Sequence, residues 1–255
     1  MKKLFFTLAL GLLLFAVPNV SNAQSFDDPS EVVTKYLDAV KENNVDEAVK
    51  YVEDDRYVNL ENQKQDYKIL FSENKLINYE IISDSTTLVN TKLTFANGGI
   101  SEVPFVVSGD KVKITLDSLE NQNYQVVKEE VNPIKNVTPF ANNHTYTSWN
   151  FSSRAEGSVF YGSSTFSFSG QSSVNMPLTQ WLTGTSETPV ITYAIVNKHW
   201  YGDDVWGNAQ VSGTYKNWGE FKITGKSSSV SGAQMRFSTK SLTGRATYSG
   251  YGSIY

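Results

Sequence analysis

Residues 28–52 read DPSEVVTKYLDAVKENNVDEAVKYV and carry the clearest structural signal in the 255-residue chain. Asp28 is suited to cap a helix, with Pro29 at the first helical position and Glu31 three residues after the cap. An Asn-Asn pair at 43–44 predicts the end of this helix, and its second Asn is suited to cap another short helix. The apolar residues recur at helical spacing on one face: Val32, Val33, Tyr36, Leu37 and Val40.

The pattern changes from helical to strand-like periodicity further along the chain. Asn97-Gly98-Gly99 is a strong signal for a hairpin turn, and residues 111–116 alternate between polar and apolar as a half-buried strand does. Helices followed by an antiparallel meander predict an α+β domain. We expect a third helix at 63–71 and strands at 76–82, 88–95, 100–107 and 112–116.

Residues 28–52 also resemble the opening helical hairpin of NTF2-like (cystatin-like) domains found in exported bacterial proteins. The resemblance covers about residues 27–117 and implies a cone-shaped fold, in which a curved antiparallel sheet wraps a long helix and leaves a pocket. Enzymatic members, such as ketosteroid isomerases and dehydratases, place Asp, Tyr or His in that pocket. This segment has no His, and none of its acids aligns with a catalytic position.

Tyr36 and Tyr51 are the candidate pocket residues of the NTF2-like segment. The alternative is that they belong to the core, where aromatic side chains on the inner face of a helix usually lie. Because a fold by itself carries no activity, we expect a small-ligand pocket or a structural spacer here.

The second half of the chain has a different composition. From residue 133 onward it contains 20 aromatic residues, all five Trp and 13 of the 17 Gly. Apolar residues separated by one small polar residue predict an all-β antiparallel sandwich or barrel. Glycine next to polar or aromatic residues predicts turns at 202–204, 217–219 and 250–252. Strands are expected at 146–151, 158–161, 165–168, 190–196, 210–215, 220–224, 233–238 and 246–251.

The charges are unevenly distributed between the two halves. Residues 24–132 hold 21 acidic and 11 basic side chains, a net charge of −10, whereas residues 133–255 hold 5 and 9, a net charge of +4. Such a step in composition indicates two domains. The expected organisation is a signal peptide at 1–23, the NTF2-like α+β domain at 24–127, a linker at 128–143 and an all-β domain at 144–255.

The N-terminus predicts export. Lys2 and Lys3 precede an apolar run at 4–17, and Ser21-Asn22-Ala23 offers the small residues of a cleavage site after Ala23. The run is too short to cross roughly 30 Å of hydrocarbon. The chain has no Cys, which excludes a disulfide framework and a thiolate nucleophile. Export without disulfides favours a Gram-positive bacterium, with the protein extracellular or associated with the cell wall.

Catalytic signals are weak. His144 and His199 are the only imidazoles, and His199 lies near Asp203 and Asp204, a spacing that suits either a general base with an orienting carboxylate or an ordinary turn. No hydrolase, zinc or EF-hand motif is present. We therefore predict no catalytic residues, no metal and no cofactor, and a protein that is not an enzyme.

Binding is easier to support from the sequence. Trp200, Tyr201, Trp206 and Trp218 fall close together in a glycine-containing stretch, and aromatic faces on a β-scaffold suit a cell-wall polymer, a carbohydrate or a surface protein. The alternative is that these residues fill a core short of bulky aliphatic side chains. Nucleic acid is not an expected partner, because the basic residues are scattered and the chain is acidic overall.

Two segments keep a membrane-active function open. Residues 158–174 and 226–242 alternate Ser or Thr with apolar residues, which is typical of a membrane-inserting β-hairpin and also of solvated strands. The function we expect is a secreted, non-enzymatic binding protein of a Gram-positive bacterium, whose β-domain contacts a cell-envelope or extracellular partner. The alternatives are a secreted antibacterial or pore-forming protein and, third, an extracellular hydrolase. The sequence leaves the oligomeric state open.

Overall fold

A computed structural model describes residues 28–116, 145–242 and 244–255. The predicted signal peptide, the predicted linker at 128–143 and His144 lie outside these residues. The described chain is mostly β, with few helices. Its elements are α1 (Pro29–Lys41), α2 (Val45–Ala48), β1 (Val52–Asp54), α3 (Leu60–Glu73), β2 (Leu76–Asp84), β3 (Leu88–Phe95), β4 (Ile100–Ser108), β5 (Lys111–Ile114), β6 (Thr147–Ala155), β7 (Val159–Tyr161), β8 (Phe166–Phe168), β9 (Ser173–Thr183), β10 (Val190–His199), β11 (Gly202–Ser212), β12 (Tyr215–Gly225), β13 (Val230–Thr239) and β14 (Thr247–Ile254).

The first two helices begin where their capping residues predict. The Asp28 side chain accepts a hydrogen bond from the Ser30 backbone N–H at 3.1 Å. Asn44 does the same for the Glu47 N–H at 3.2 Å. These side chains satisfy backbone donors that the first helical turn leaves unpaired. The apolar face predicted for α1 is buried.

The first sheet has five strands in the order β1-β5-β4-β3-β2. The β1–β5 pair is parallel and the other pairs are antiparallel. Helix α1 lies against β2 to β5, so that its apolar stripe and the inward side chains of the sheet form one core. We call this cluster the first core; Tyr36, Tyr67, Phe71, Leu93 and Phe105 are among its most buried members.

The second sheet is a curled antiparallel half-barrel. Its strands follow the order β6-β14-β9-β12-β11-β10-β13-β7, and β8 pairs with β13 beside this path. Alternate side chains point into the concave side and form a second core that includes Trp149, Met176, Tyr193, Ile223 and Phe237. The apolar residues of the alternating segments 158–174 and 226–242, such as Phe166, Phe168 and Val230, are buried in this core.

Three predicted turns are wrong. Residues 202–204, 217–219 and 250–252 lie within β11, β12 and β14, and the sequence pattern does not predict β9. In β14 the glycines make room for large rings, because a Cβ at Gly252 would stand 2.4 Å from Trp149 Cζ2 and one at Gly250 would stand 3.0 Å from Phe151 Cζ. Glycine therefore marks close packing within a strand here, as it does where another group approaches the backbone.

The two sheets are joined by the β10–β11 hairpin. Trp200 lies at the turn of this hairpin and is fully buried in the first core, where its ring makes edge contacts with Tyr36 and Phe71. The indole Nε1–H donates a hydrogen bond to the Asn74 carbonyl at 3.2 Å, and the Tyr36 hydroxyl donates to the Trp200 carbonyl at 3.2 Å. The hairpin is therefore anchored by apolar burial and by two hydrogen bonds.

A buried ion network lies beside the turn of the same hairpin, where Asp203 pairs with Lys198. Arg56, which follows β1, binds Asp54 through Nη2 at 2.6 Å and Asp203 of β11 through Nη1 at 2.9 Å. The Asp203 carboxylate also accepts hydrogen bonds from Arg236 Nη1 at 2.7 Å and from the Tyr161 hydroxyl at 2.8 Å. The charged side chains are at most 3 % exposed. Because every charge has an opposite neighbour, the network is compatible with burial.

The helices of the described residues are too short or too polar to cross a membrane.

We predict that Trp200→Ala lowers the free energy of unfolding by about 3–5 kcal/mol, because it leaves a large cavity in the first core. Trp218→Ala is the matched control, since that side chain is 38 % exposed, and it should cost roughly 1 kcal/mol or less. Urea unfolding followed by circular dichroism measures both values. Equal losses for the two variants would contradict the placement of Trp200.

The Asp203 network predicts a loss of stability in acid. Burial alone raises the pKa of Asp203, but the charges of Arg56 and Arg236 and the hydrogen bonds from Arg236 and Tyr161 hold this pKa below its ordinary value. The stabilisation is therefore present above the unfolded-state pKa of about 3.9 and is lost as the pH falls through the lower folded-state pKa. Asp203→Asn should flatten this acid dependence.

Asp110→Asn is the control for the acid dependence, because Asp110 is exposed in the turn between β4 and β5. Urea midpoints measured from neutral to acidic pH should show the same slope for this variant as for the parent chain. If Asp203→Asn kept the full slope as well, Asp203 would not be its source.

Candidate functional site

The four aromatic residues predicted as a ligand site do not form one exposed patch. Trp200 is buried in the first core, and Tyr201 is partly buried against it. Trp206 is only 5 % exposed and packs in the second core, with its ring edge-on to Phe168 at 4.8 Å. Trp218 alone among them is exposed. Trp200 and Trp206 are therefore core residues, as the alternative to a ligand site expects.

The predicted pocket residues have different surroundings. Tyr36 is fully buried, and its ring lies edge-on to Phe105 at 6.0 Å and to Trp200 at 5.9 Å. Trp200 therefore occupies the space beside Tyr36. Tyr51 is partly buried, and its hydroxyl donates a hydrogen bond to the carboxylate of Glu47 in α2 at 3.0 Å.

Trp218 belongs to a cluster of three rings on the outer face of the second sheet. Tyr251 lies between the other two, with ring centroids 5.1 Å from Trp218 and 6.4 Å from Trp181, both in edge contact. The three residues come from β12, β14 and β9, and β9 lies between the other two strands in the sheet. We call Trp181, Trp218 and Tyr251 the aromatic platform.

Strand alternation places the platform outside. In β9 the even-numbered residues Met176 and Leu178 enter the second core, so Thr179 and Trp181 point outward. Thr179 is fully buried although it points away from the core, and it pairs with Tyr251 across β14. A buried threonine on an outer face indicates that the platform rings cover it.

The border of the platform is polar. Glu220 and Lys222 follow Trp218 at alternate positions of β12 and are exposed, and Asn150 pairs with Tyr251 from β6. Aromatic faces bordered by groups that donate and accept hydrogen bonds suit a ligand with both apolar and hydroxyl surfaces. Such a surface is open and extended, whereas sites for small molecules are concave.

His199 and its neighbouring acids do not form a base with an orienting carboxylate. Asp203 is held by Arg56 and Arg236, while the His199 carbonyl accepts a hydrogen bond from Arg56 Nη1 at 2.7 Å. The His199 ring stacks on Tyr201 at 4.8 Å. Burial lowers the pKa of His199, and the charges of Asp204 and Asp203 oppose this only in part.

In the part of the chain that the structure describes, no group of three or more His, Asp or Glu side chains is arranged to hold a metal ion.

Sequence reasoning missed Trp181 and Tyr251. Trp181 lies in β9, where Pro177 is a residue that central strands disfavour and where the buried Gln180 ends the apolar alternation of Val174, Met176 and Leu178. Tyr251 stands between two glycines, a pattern that predicts a turn, but it lies within β14. The alternation of side chains between the two faces of a strand is the signal that identifies both residues. Trp181 is two positions from Thr179, and Tyr251 is two positions from Ser249, so each lies on the polar side of its strand.

Comparisons with protein-family models, with curated proteins and with solved structures returned no match for this chain.

Proposed function

We propose that the protein is a secreted, non-enzymatic binding protein of a Gram-positive bacterium, and that its aromatic platform binds a glycan of the cell envelope. The observation that carries this proposal is the contact of exposed Tyr251 and Trp218 with half-buried Trp181 across neighbouring strands. Strands are about 4.8 Å apart, so three of them span about 10 Å, which suits an extended polymer.

The chemistry of aromatic rings favours a carbohydrate partner. The flat faces of sugars carry C–H groups that pack on aromatic rings, while their hydroxyl groups need donors and acceptors at the edge. Glu220 and Asn150 offer such groups beside the rings. Because the platform lies on a hydrogen-bonded sheet, little order has to be gained when a ligand binds.

The first part of the chain fits a spacer better than a receptor pocket. We infer an NTF2-like α+β domain for residues 24–127, on the support of the helical hairpin and the sheet that lies against α1. Its interior beside Tyr36 is filled by Trp200. An all-β domain at 144–255 then carries the platform, and the linker between the two stays a prediction.

The absence of an enzymatic role is also part of the proposal. It is supported by Asp203, whose two oxygens are taken by arginines, and by the burial of His199, which lowers the pKa of the imidazole. Secretion rests on the signal-peptide pattern at 1–23.

We predict that Trp181→Ala, Trp218→Ala and Tyr251→Ala each weaken binding to purified Gram-positive cell walls about tenfold, because each removes one ring of the platform. Sedimentation of the mature chain with the insoluble walls gives the dissociation constants. Ile100→Ala is the matched control, since Ile100 is an exposed apolar residue on the first sheet. Wild-type binding by all three platform variants would overturn the assignment of the surface.

Dye-loaded liposomes separate this proposal from the membrane-active alternative. We expect the parent chain to sediment with cell walls and to leave the dye inside the liposomes. Release of the dye would support a pore-forming protein instead.

A further inference from the structure

His199 is a titratable side chain at the junction of the two sheets, and the proposed function makes no use of it. It is the last residue of β10, directly before Trp200, which is anchored in the first core. Its half-buried ring stacks on the ring of Tyr201, with the centroids 4.8 Å apart and an angle of 2° between the planes. Tyr201 in turn stacks on Phe95 of the first sheet at 6.0 Å. A change in the charge of the imidazole therefore acts on the contact between the sheets.

The imidazole of His199 lacks a partner that its charged form requires. Nδ1 is buried and has no hydrogen-bond partner among the described residues. A neutral imidazole leaves one ring nitrogen without a proton, whereas the charged form carries a proton on both nitrogens and needs an acceptor for each. Protonation therefore buries an N–H group without an acceptor, which is unfavourable.

The guanidinium of Arg56 is a fixed positive charge close to His199. Its Nη1 donates to the His199 carbonyl at 2.7 Å and binds the Asp203 carboxylate at 2.9 Å. Arginine keeps its charge at every pH at which a protein is folded. A protonated His199 adds a second positive charge beside the one that holds the hairpin to the first sheet, and the two charges repel each other.

The acids near the ring neutralise such a charge only in part. The Asp203 carboxylate already accepts hydrogen bonds from two arginines and a tyrosine. Asp204 pairs with Lys226 at 2.8 Å, and both of these side chains are 61 % exposed, so that water screens their charges. Tyr201 stays neutral, because burial raises the pKa of its hydroxyl.

The balance of these effects lowers the pKa of His199 below its ordinary value of 6.5. Burial is the largest cause; Arg56 acts in the same direction, and Asp204 and Asp203 oppose it. The stabilisation is therefore complete above about pH 6.5 and is lost as the pH falls through the lower folded-state pKa, because the unfolded chain takes up the proton first. The window of Asp203 begins lower, near the ordinary carboxyl pKa of about 3.9, so pH separates the two groups.

We propose that His199 makes the junction of the two sheets sensitive to mild acid. Protonation of its ring loosens the β10–β11 hairpin from the first core, while the second core keeps its packing. The hairpin responds because the ring, Trp200 and the Arg56 contact all lie at its turn. His199 is the only histidine among the described residues, so no other imidazole there titrates in this range. The proposal does not depend on what the aromatic platform binds.

Hydrogen exchange of the indole N–H groups in the ¹⁵N-labelled mature chain tests the proposal. Rates are measured at about pH 7.5 and about pH 5.5, on either side of the ordinary histidine pKa, and each is divided by the rate of free indole at the same pH. The Trp200 indole donates to the Asn74 carbonyl, so its protection reports whether the hairpin is docked. Trp149 in the second core is the internal reference. We expect the protection of Trp200 to fall roughly tenfold in mild acid and that of Trp149 to stay constant.

Variants assign this effect to the imidazole. His199→Phe removes the titration and keeps a ring against Tyr201, so Trp200 should have the same protection at both pH values. His144→Phe is the matched control, because His144 is the other imidazole of the chain, and it should behave like the parent. If His199→Phe folds poorly, His199→Gln also lacks a titratable ring and gives the same comparison between the two pH values.

Three results would overturn the proposal. The first is a protection of Trp200 in the parent chain that is equal at both pH values. The second is a fall in protection that persists in His199→Phe and in His199→Gln. The third is an equal fall at Trp149, which would show that mild acid unfolds the second core together with the hairpin contact.

Discussion

The burial of Trp200 in the first core is the contact on which the arrangement of the two sheets depends. The residue lies at the turn of the β10–β11 hairpin, and these strands stand in the middle of the second sheet. Anchoring the hairpin therefore positions the strands on both sides of it. The Arg56–Asp203 pair holds β11 directly after the same turn, so apolar burial and a satisfied ion network act together.

This anchoring decides which surfaces are left for a partner. The hairpin turn occupies the space beside Tyr36 in the first core. The outer face of the second sheet stays open at Trp181, Trp218 and Tyr251, where side chains pointing out of the strands meet each other. Folding and binding thus use different aromatic residues of one sheet.

The sequence predicted local elements well and long-range contacts poorly. The caps at Asp28 and Asn44 follow from neighbouring residues, and the structure confirms them. Spacing along the chain did not reveal that Trp200 is buried, because its neighbours Tyr36 and Phe71 are more than a hundred residues away. Net charge gives no sign of the buried pair either, because this pair joins an arginine of the acidic half to an aspartate of the basic half.

The central claim is that a cell-envelope glycan covers the aromatic platform, and oxidative footprinting read by mass spectrometry tests it most directly. Hydroxyl radicals modify exposed aromatic side chains, so the mature chain is labelled alone and with purified Gram-positive cell walls. The account predicts that oxidation of Trp218, Trp181 and Tyr251 falls in the presence of the walls. Protection elsewhere on the chain, with these three residues still oxidised, would contradict it.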